Sequence, residues 1–194
     1  MNLVIIDYGA GNVQSVKYAL DRLGIQATLS KDSAVIKAAD KLIFPGVGAA
    51  APAMEALREN QLDTLIPSLK QPFLGICLGM QIMCTSSEEG NTAGLGIIDV
   101  AVKKFQGKEK VPHMGWNNVN KLKSDLFVDF DQEKQLYFVH SYYVPVNQYT
   151  IAECDYILPF SAALQKNNFY ACQFHPEKSG DAGEQLLKRF IELP

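Results

Sequence analysis

Pro72-Phe73-Leu74-Gly75-Ile76-Cys77-Leu78-Gly79-Met80-Gln81 decides how this chain folds. Pro72–Ile76 is a short apolar run without polar alternation, as expected of a strand covered on both faces. A helical pattern takes over at Leu78, so strand passes into helix around Cys77. Gly75-Ile76-Cys77-Leu78-Gly79 is the G-x-S-x-G pattern with cysteine in the nucleophile's place, in the strand-to-helix setting that pattern requires. Small residues two positions to either side permit a tight, strained turn that lifts the central side chain out of the packing. The N–H groups that open the helix favour a thiolate and offer an oxyanion donor. A free cysteine is commonly a small buried hydrophobe; the glycine bracket and the setting together favour a nucleophile here. Cys84, Cys154 and Cys172 lack that setting and are assigned to packing.

Upstream the same alternation repeats. Leu3–Ile6 is a buried strand, Gly9-Ala10-Gly11-Asn12 breaks it, and Val13, Val16, Leu20 and Leu23 recur at helical spacing before Gly24 as a C-terminal cap. Gly9-Ala10-Gly11 lacks the third glycine of a dinucleotide fingerprint and reads as a tight loop. Ile25–Leu29 and Lys41–Phe44 are strands around a short helix. Pro45-Gly46-Val47-Gly48 opens a helix to about Asn60, and its glycines let a peptide N–H turn toward a ligand, as an oxyanion hole needs. Alternation to about residue 88 predicts an α/β fold: a mostly parallel open sheet with helices on both faces. Downstream, Ile98–Val102, Gln135–Val139, Ser161–Leu164 and Phe169–Phe174 predict additional short, antiparallel strands. Asp181 with Glu184 suggests a capping box before a closing helix bearing Leu186, Leu187, Phe190 and Ile191. No linker or low-complexity stretch divides 1–194, so one domain is expected.

The 194 residues carry 18 Lys+Arg against 21 Asp+Glu, a formal net charge of −3, and no basic run. That pattern argues against a general nucleic-acid binder. No stretch approaches the roughly 18 apolar residues of a membrane span and the N-terminus lacks a signal-peptide pattern, so a cytosolic setting is expected. The cysteines form no C-x-x-C pair and read as reduced thiols. His113, His140 and His175 have no close metal-ligand spacing, so no metal or cofactor is expected.

A cysteine nucleophile needs a base, and the base a group to orient it. Phe174-His175-Pro176-Glu177 offers both, because an apolar strand ends at His175 and Pro176 turns the chain so that Glu177 can return to the ring. The pair meets Cys77 only if both strands end at one edge of the sheet, where ligands gather in open α/β folds. His140 and His113 compete for the base role without a nearby carboxylate; otherwise they are structural or line the cleft.

The run Gly75–Gln81 with His175-Pro176-Glu177 resembles the class I glutamine amidotransferase family across nearly the whole chain. The resemblance implies a flavodoxin-like sheet of that family's type. It also implies a Cys77–His175–Glu177 triad that hydrolyses L-glutamine to glutamate and ammonia through a thioester. Asp7–Asn12, Phe44–Gly48, Pro112–Asn117, His140–Tyr143 and Lys178-Ser179-Gly180 are similar to one branch, a glutaminase subunit in a heterodimer with a (βα)8-barrel cyclase that consumes the ammonia. By that likeness the oxyanion donors are Val47 and Leu78, glutamine is held by Gly48, Gln81, Ser141 and Tyr142, and the partner surface includes Asn12, Met114, Trp116 and Lys178. A movable Gly46–Val47 peptide would gate the reaction. Trp116 as core and Lys178 as a solvated charge are the plain alternatives. Amidotransferases serving pyridoxal phosphate, anthranilate or GMP synthesis share the triad; a stand-alone cysteine hydrolase and a non-catalytic docking subunit are further alternatives.

Overall fold

The structure, a computed structural model, describes residues 1–9 and 12–194, so the centre of the expected Gly9-Ala10-Gly11 loop lies outside the described residues. Strand β1 (Leu3–Ile6) leads to α1 (Val13–Arg22), β2 (Ala27–Ser30), α2 (Ser33–Lys37), β3 (Lys41–Gly46), α3 (Ala50–Glu59) and α4 (Leu62–Leu65). Next come β4 (Phe73–Cys77), α5 (Leu78–Ile82), β5 (Cys84–Ser87), β6 (Thr92–Ala93), β7 (Ile98–Lys104), β8 (His113–Asn117), β9 (Leu136–His140) and β10 (Tyr142–Tyr143). The chain closes with β11 (Thr150–Asp155), β12 (Pro159–Lys166), β13 (Phe169–Cys172) and α6 (Gly180–Glu192).

The main sheet has the order β11-β12-β13-β4-β3-β1-β2. From β13 to β2 every neighbouring pair is parallel, and β11 and β12 extend the edge antiparallel. Side-chain parity divides the interior. Leu3, Ile5, Ile43, Leu74 and Ile76 pack with α1 and α6. Val4, Ile6, Leu42, Phe44 and Phe73 pack with α2, α3 and α4 on the opposite face. Strands apolar at consecutive positions are therefore covered twice, as the alternation predicted.

Several boundaries differ from the sequence reading for identifiable reasons. Ile25 belongs to the closure of α1: its N–H bonds Leu20 O at 2.9 Å while Gly24 N–H bonds Asp21 O at 3.0 Å, a Schellman pairing with Gly24 at φ +72°. The expected strand Ile25–Leu29 is thus Ala27–Ser30. Pro45 and Gly46 end β3 instead of opening a helix, and α3 begins at Ala50. The helix after Cys77 stops at Ile82, because Leu95 and Ile98 N–H groups occupy the Ile82 and Met83 carbonyls and Cys84–Ser87 becomes a strand of a second sheet, β10-β7-β5-β6. The capping box is not formed. Helix α6 begins at Gly180 after Ser179, and Glu184 pairs with Arg22 instead.

Candidate active site

Strands β3, β4 and β13 are parallel neighbours, so the segments following them leave one edge of the sheet together. Cys77 ends β4 at φ +54°, ψ −107°, a conformation costly for a residue with a side chain. The turn needs glycine at Gly79, where a Cβ would stand 2.3 Å from the Phe44 carbonyl oxygen of β3. This close packing holds the Cys77 turn against the strand that leads into Val47. Helix α5 spans only five residues, so the main positive partner for the sulfur comes from beyond β13.

That partner is His175, 1% exposed. Its N–H bonds Tyr137 O of β9 at 2.8 Å. Ser179 Oγ donates to the His175 carbonyl at 2.6 Å and accepts from Tyr137 N–H at 2.9 Å, which locks the loop from two directions. His175 Nδ1 lies 2.8 Å from Glu177 Oε1, and this carboxylate orients the ring. Burial disfavours the imidazolium, but the Cys77 sulfur and Glu177 outweigh it and raise the pKa of His175 to about 10. His175 Nε2 is buried without a regular hydrogen bond, and it sits with Cys77 on one cavity of about 290 Å³. Cys77 and His175, 98 residues apart in sequence, therefore meet at one cavity.

Val47, Gly48, Leu78, Gln81, Ser141 and Tyr142 border the same cavity. Gly48 has φ +96°. The Tyr8 hydroxyl, buried and lacking a regular hydrogen bond, lies beside the Val47 peptide, and burial pushes its pKa up to about 12. Glu89, whose carboxylate accepts from Ala50 N–H at 2.8 Å, adds an acidic wall. The sequence reading missed Tyr8, Glu89 and Gln173. Gln173 had a visible signal, a polar residue within the apolar run Phe169–Phe174, and Tyr8 lay within the Asp7–Asn12 motif.

His140 and His113 are engaged with one another. The Tyr142 carbonyl can only accept, so His140 Nδ1, at 2.8 Å, donates to it. Neutral His140 then accepts at Nε2 from His113 Nδ1, 3.0 Å away, and His113 Nε2 accepts from Asn117 Nδ2 at 3.3 Å. Burial lowers His113 to a pKa of about 4. Burial, aided by the charges of His113 and His175 and opposed by the Tyr142 carbonyl, lowers His140 to about 3. These folded values lie below the ordinary histidine value of 6.5, so in that interval the unfolded chain binds more protons. The histidine pair's stability is fully present above about pH 6.5 and is lost as pH falls toward these values. We expect urea midpoints to decline from pH 6.5 to 4.5, and a double substitution to glutamine to flatten the decline. An equal slope in that variant would refute the neutral pair.

Cys84, Cys154 and Cys172 are buried and free. Burial raises the first two thiols to about 12 and the third well above its ordinary value, consistent with packing. On β8, Met114 and Trp116 are 62% and 53% exposed, and Trp116 stands edge-on to Tyr137, so Trp116 is not core. Lys178 is exposed and Asn12 half-buried; Asn12 Oδ1 accepts from Ser15 Oγ. Among the described residues no helix is long and apolar enough to cross a membrane.

The family description "Glutamine amidotransferase class-I" matches residues 4–193. The chain is 60% identical over 196 residues to the imidazole glycerol phosphate synthase subunit HisH of Bacteroides fragilis (strain YCH46), with 100% of both chains covered. It is 50% identical over 196 residues, again with 100% of each covered, to the same-named subunit of Escherichia coli (strain K12). Among solved structures it is similar to PurLQS from Thermotoga maritima, with a TM-score of 0.76, 15% identity and coverage of 98% and 97%. At that identity the likeness concerns the fold alone.

Proposed function

The chain belongs to the class I glutamine amidotransferase family, and from that premise we propose that it is the glutaminase subunit of an imidazole glycerol phosphate synthase, in histidine biosynthesis. The observation that carries the mechanism is the meeting of Cys77 with His175 on one cavity, while Glu177 holds the far ring nitrogen at 2.8 Å. The Cys77 thiolate attacks the side-chain carboxamide carbon of glutamine, with the thiol proton already on His175 Nε2. The oxyanion takes N–H donors from Leu78 and from a turned Val47 peptide. As the C–N bond breaks, His175 hands its proton to the leaving nitrogen and ammonia departs, leaving a thioester. Water, deprotonated by His175, then attacks the thioester carbon, and the thiolate leaves to release glutamate.

Gly48, Gln81, Ser141 and Tyr142 surround the substrate, and Glu89 suits its α-ammonium. Both Nε2 hydrogens of Gln81 are engaged, by Tyr142 O at 3.0 Å and Gln173 Oε1 at 2.9 Å. Toward glutamine this side chain can therefore present only its oxygen.

Ammonia set free in water at neutral pH is protonated and no longer nucleophilic, so a partner must receive it directly. We assign that role to a (βα)8-barrel cyclase docking over Asn12, Met114, Trp116 and Lys178 as a heterodimer. Withdrawing the Val47 N–H in the isolated subunit would forfeit one oxyanion donor, worth about 10²–10³ in rate. Two measurements test the proposal. A glutamine-like electrophile is expected to label Cys77, located by mass spectrometry, and glutaminase turnover is expected to rise about 10²–10³-fold with the cyclase and its ligand. Labelling elsewhere would overturn the triad, and equal turnover in all conditions would overturn the gate.

A further inference from the structure

Gln173 lies two residues before His175, its side chain fully enclosed and its backbone N–H fixed to Ala162 O at 2.8 Å. The direction of its amide follows from its neighbours. Because the Tyr142 carbonyl only accepts, the Gln81 atom 3.0 Å from it is the NH2 nitrogen. That nitrogen also lies 2.9 Å from the Gln173 amide, so the Gln173 atom it meets is the oxygen. The remaining Gln173 atom, its NH2 group, consequently faces the Cys77 sulfur, at 3.6 Å. The acceptor a protonated thiol would use, Val139 O, is farther away at 3.9 Å.

We propose that Gln173 is a further catalytic residue of this glutaminase, donating an amide N–H to the Cys77 sulfur so that the thiolate is held ready, with Gln81 fixing the direction of the donor. The inference rests on Cys77 being the nucleophile. An N–H donor interacts more strongly with an anionic sulfur than with a thiol. It therefore favours the thiolate at rest and again when the thioester collapses, whereas in the neutral thioester its contribution is least. The ionisable groups around the sulfur are His175 with Glu177 behind it, Tyr8 and Cys172, and Glu89, His140 and Tyr142 line the same cavity. Of these only His175 supplies positive charge. Gln173, directly after β13, adds a donor that does not titrate.

The test is iodoacetamide alkylation of Cys77 in the full chain, followed across pH by mass spectrometry, for wild type and Gln173→Met, which keeps the volume but removes the donor. One hydrogen bond to a charged group corresponds to about one pH unit in the alkylation midpoint. Thiolate nucleophilicity rises as basicity rises, with a slope of about 0.4–0.5. The variant is therefore expected to react about threefold to fourfold slower than wild type below the midpoint and about threefold faster on the alkaline plateau. Such a crossing is not what loosened packing produces, and an unmoved midpoint would overturn the proposal. Gln173→Glu, which keeps an oxygen for Gln81 but turns an acceptor toward the sulfur, is expected to shift the midpoint further. Should both variants fail to fold, the wild-type side-chain amide resonance of Gln173 still decides: it is expected to titrate with the alkylation midpoint, and its failure to do so overturns the assignment. If a glutamine-like electrophile leaves wild-type Cys77 untouched, the glutaminase reading itself fails; labelled Cys77 with an unmoved variant midpoint removes only Gln173.

Discussion

Cys77→Ala is expected to lower kcat for glutamine hydrolysis by about 10⁵–10⁶-fold, the scale on which a covalent nucleophile and its base fail as a unit. The substitution removes the sulfur and little else, because alanine retains the Cβ and the enclosure of the site. Folding and binding to the cyclase should therefore persist. Stability offers an independent check on the turn. At φ +54°, ψ −107° any residue with a Cβ is strained, by about 1–3 kcal/mol. Cys77→Ala should then melt near wild type, while Cys77→Gly, equally inactive, should be more stable by about 1 kcal/mol. Turnover by the alanine variant within tenfold of wild type would end the thioester mechanism. Lost activity with retained docking would in turn exclude a subunit whose sole role is to bind.

Glu177→Gln should cost about 10²–10⁴-fold in kcat. The carboxylate accepts from His175 Nδ1 at 2.8 Å with both side chains 1% exposed, so it fixes the tautomer that leaves Nε2 facing the sulfur and balances the imidazolium charge. A neutral amide loses the second effect, and when it presents NH2 to the ring it also reverses the first. The sign of the pH effect follows. Glu177 and the sulfur hold His175 at a pKa of about 10 against burial, so the acid that protonates ammonia survives well into alkaline solution. Without the carboxylate charge that pKa falls, and the alkaline limb of the acylation profile should move toward neutral pH. A rate within threefold of wild type with the limb unmoved would show that Glu177 is dispensable.

Much of this site was legible because its chemistry is concentrated in short, local patterns. Gly75–Gly79 carries its own reason for being a turn, and His175-Pro176-Glu177 places a candidate base and a carboxylate able to orient it two residues apart. The unbroken apolar runs Leu3–Ile6 and Pro72–Ile76 predict a sheet covered on both faces, as observed. Legibility ended where local preference competes with tertiary partners. Ile25 looks like a strand residue but is drawn into closing α1. Asp181 and Glu184 fit a capping box, yet Arg22 takes Glu184, and Ser179 is occupied by Tyr137 and His175. Strands β8 and β11 escaped because each is defined by its pairing with a neighbour more than by its own pattern.

The chain's residues by themselves determined the layered α/β class and marked out a candidate nucleophile with the groups able to serve it, since these depend on side-chain chemistry and backbone preferences over a few positions. Only the folded structure decided that His113 and His140 satisfy one another, that Trp116 faces outward, and that Gln81 aims the Gln173 amide at a sulfur 96 residues away in sequence. Direction in a hydrogen-bond network is settled by which carbonyl each donor meets, and that is a property of register between strands, not of any one segment.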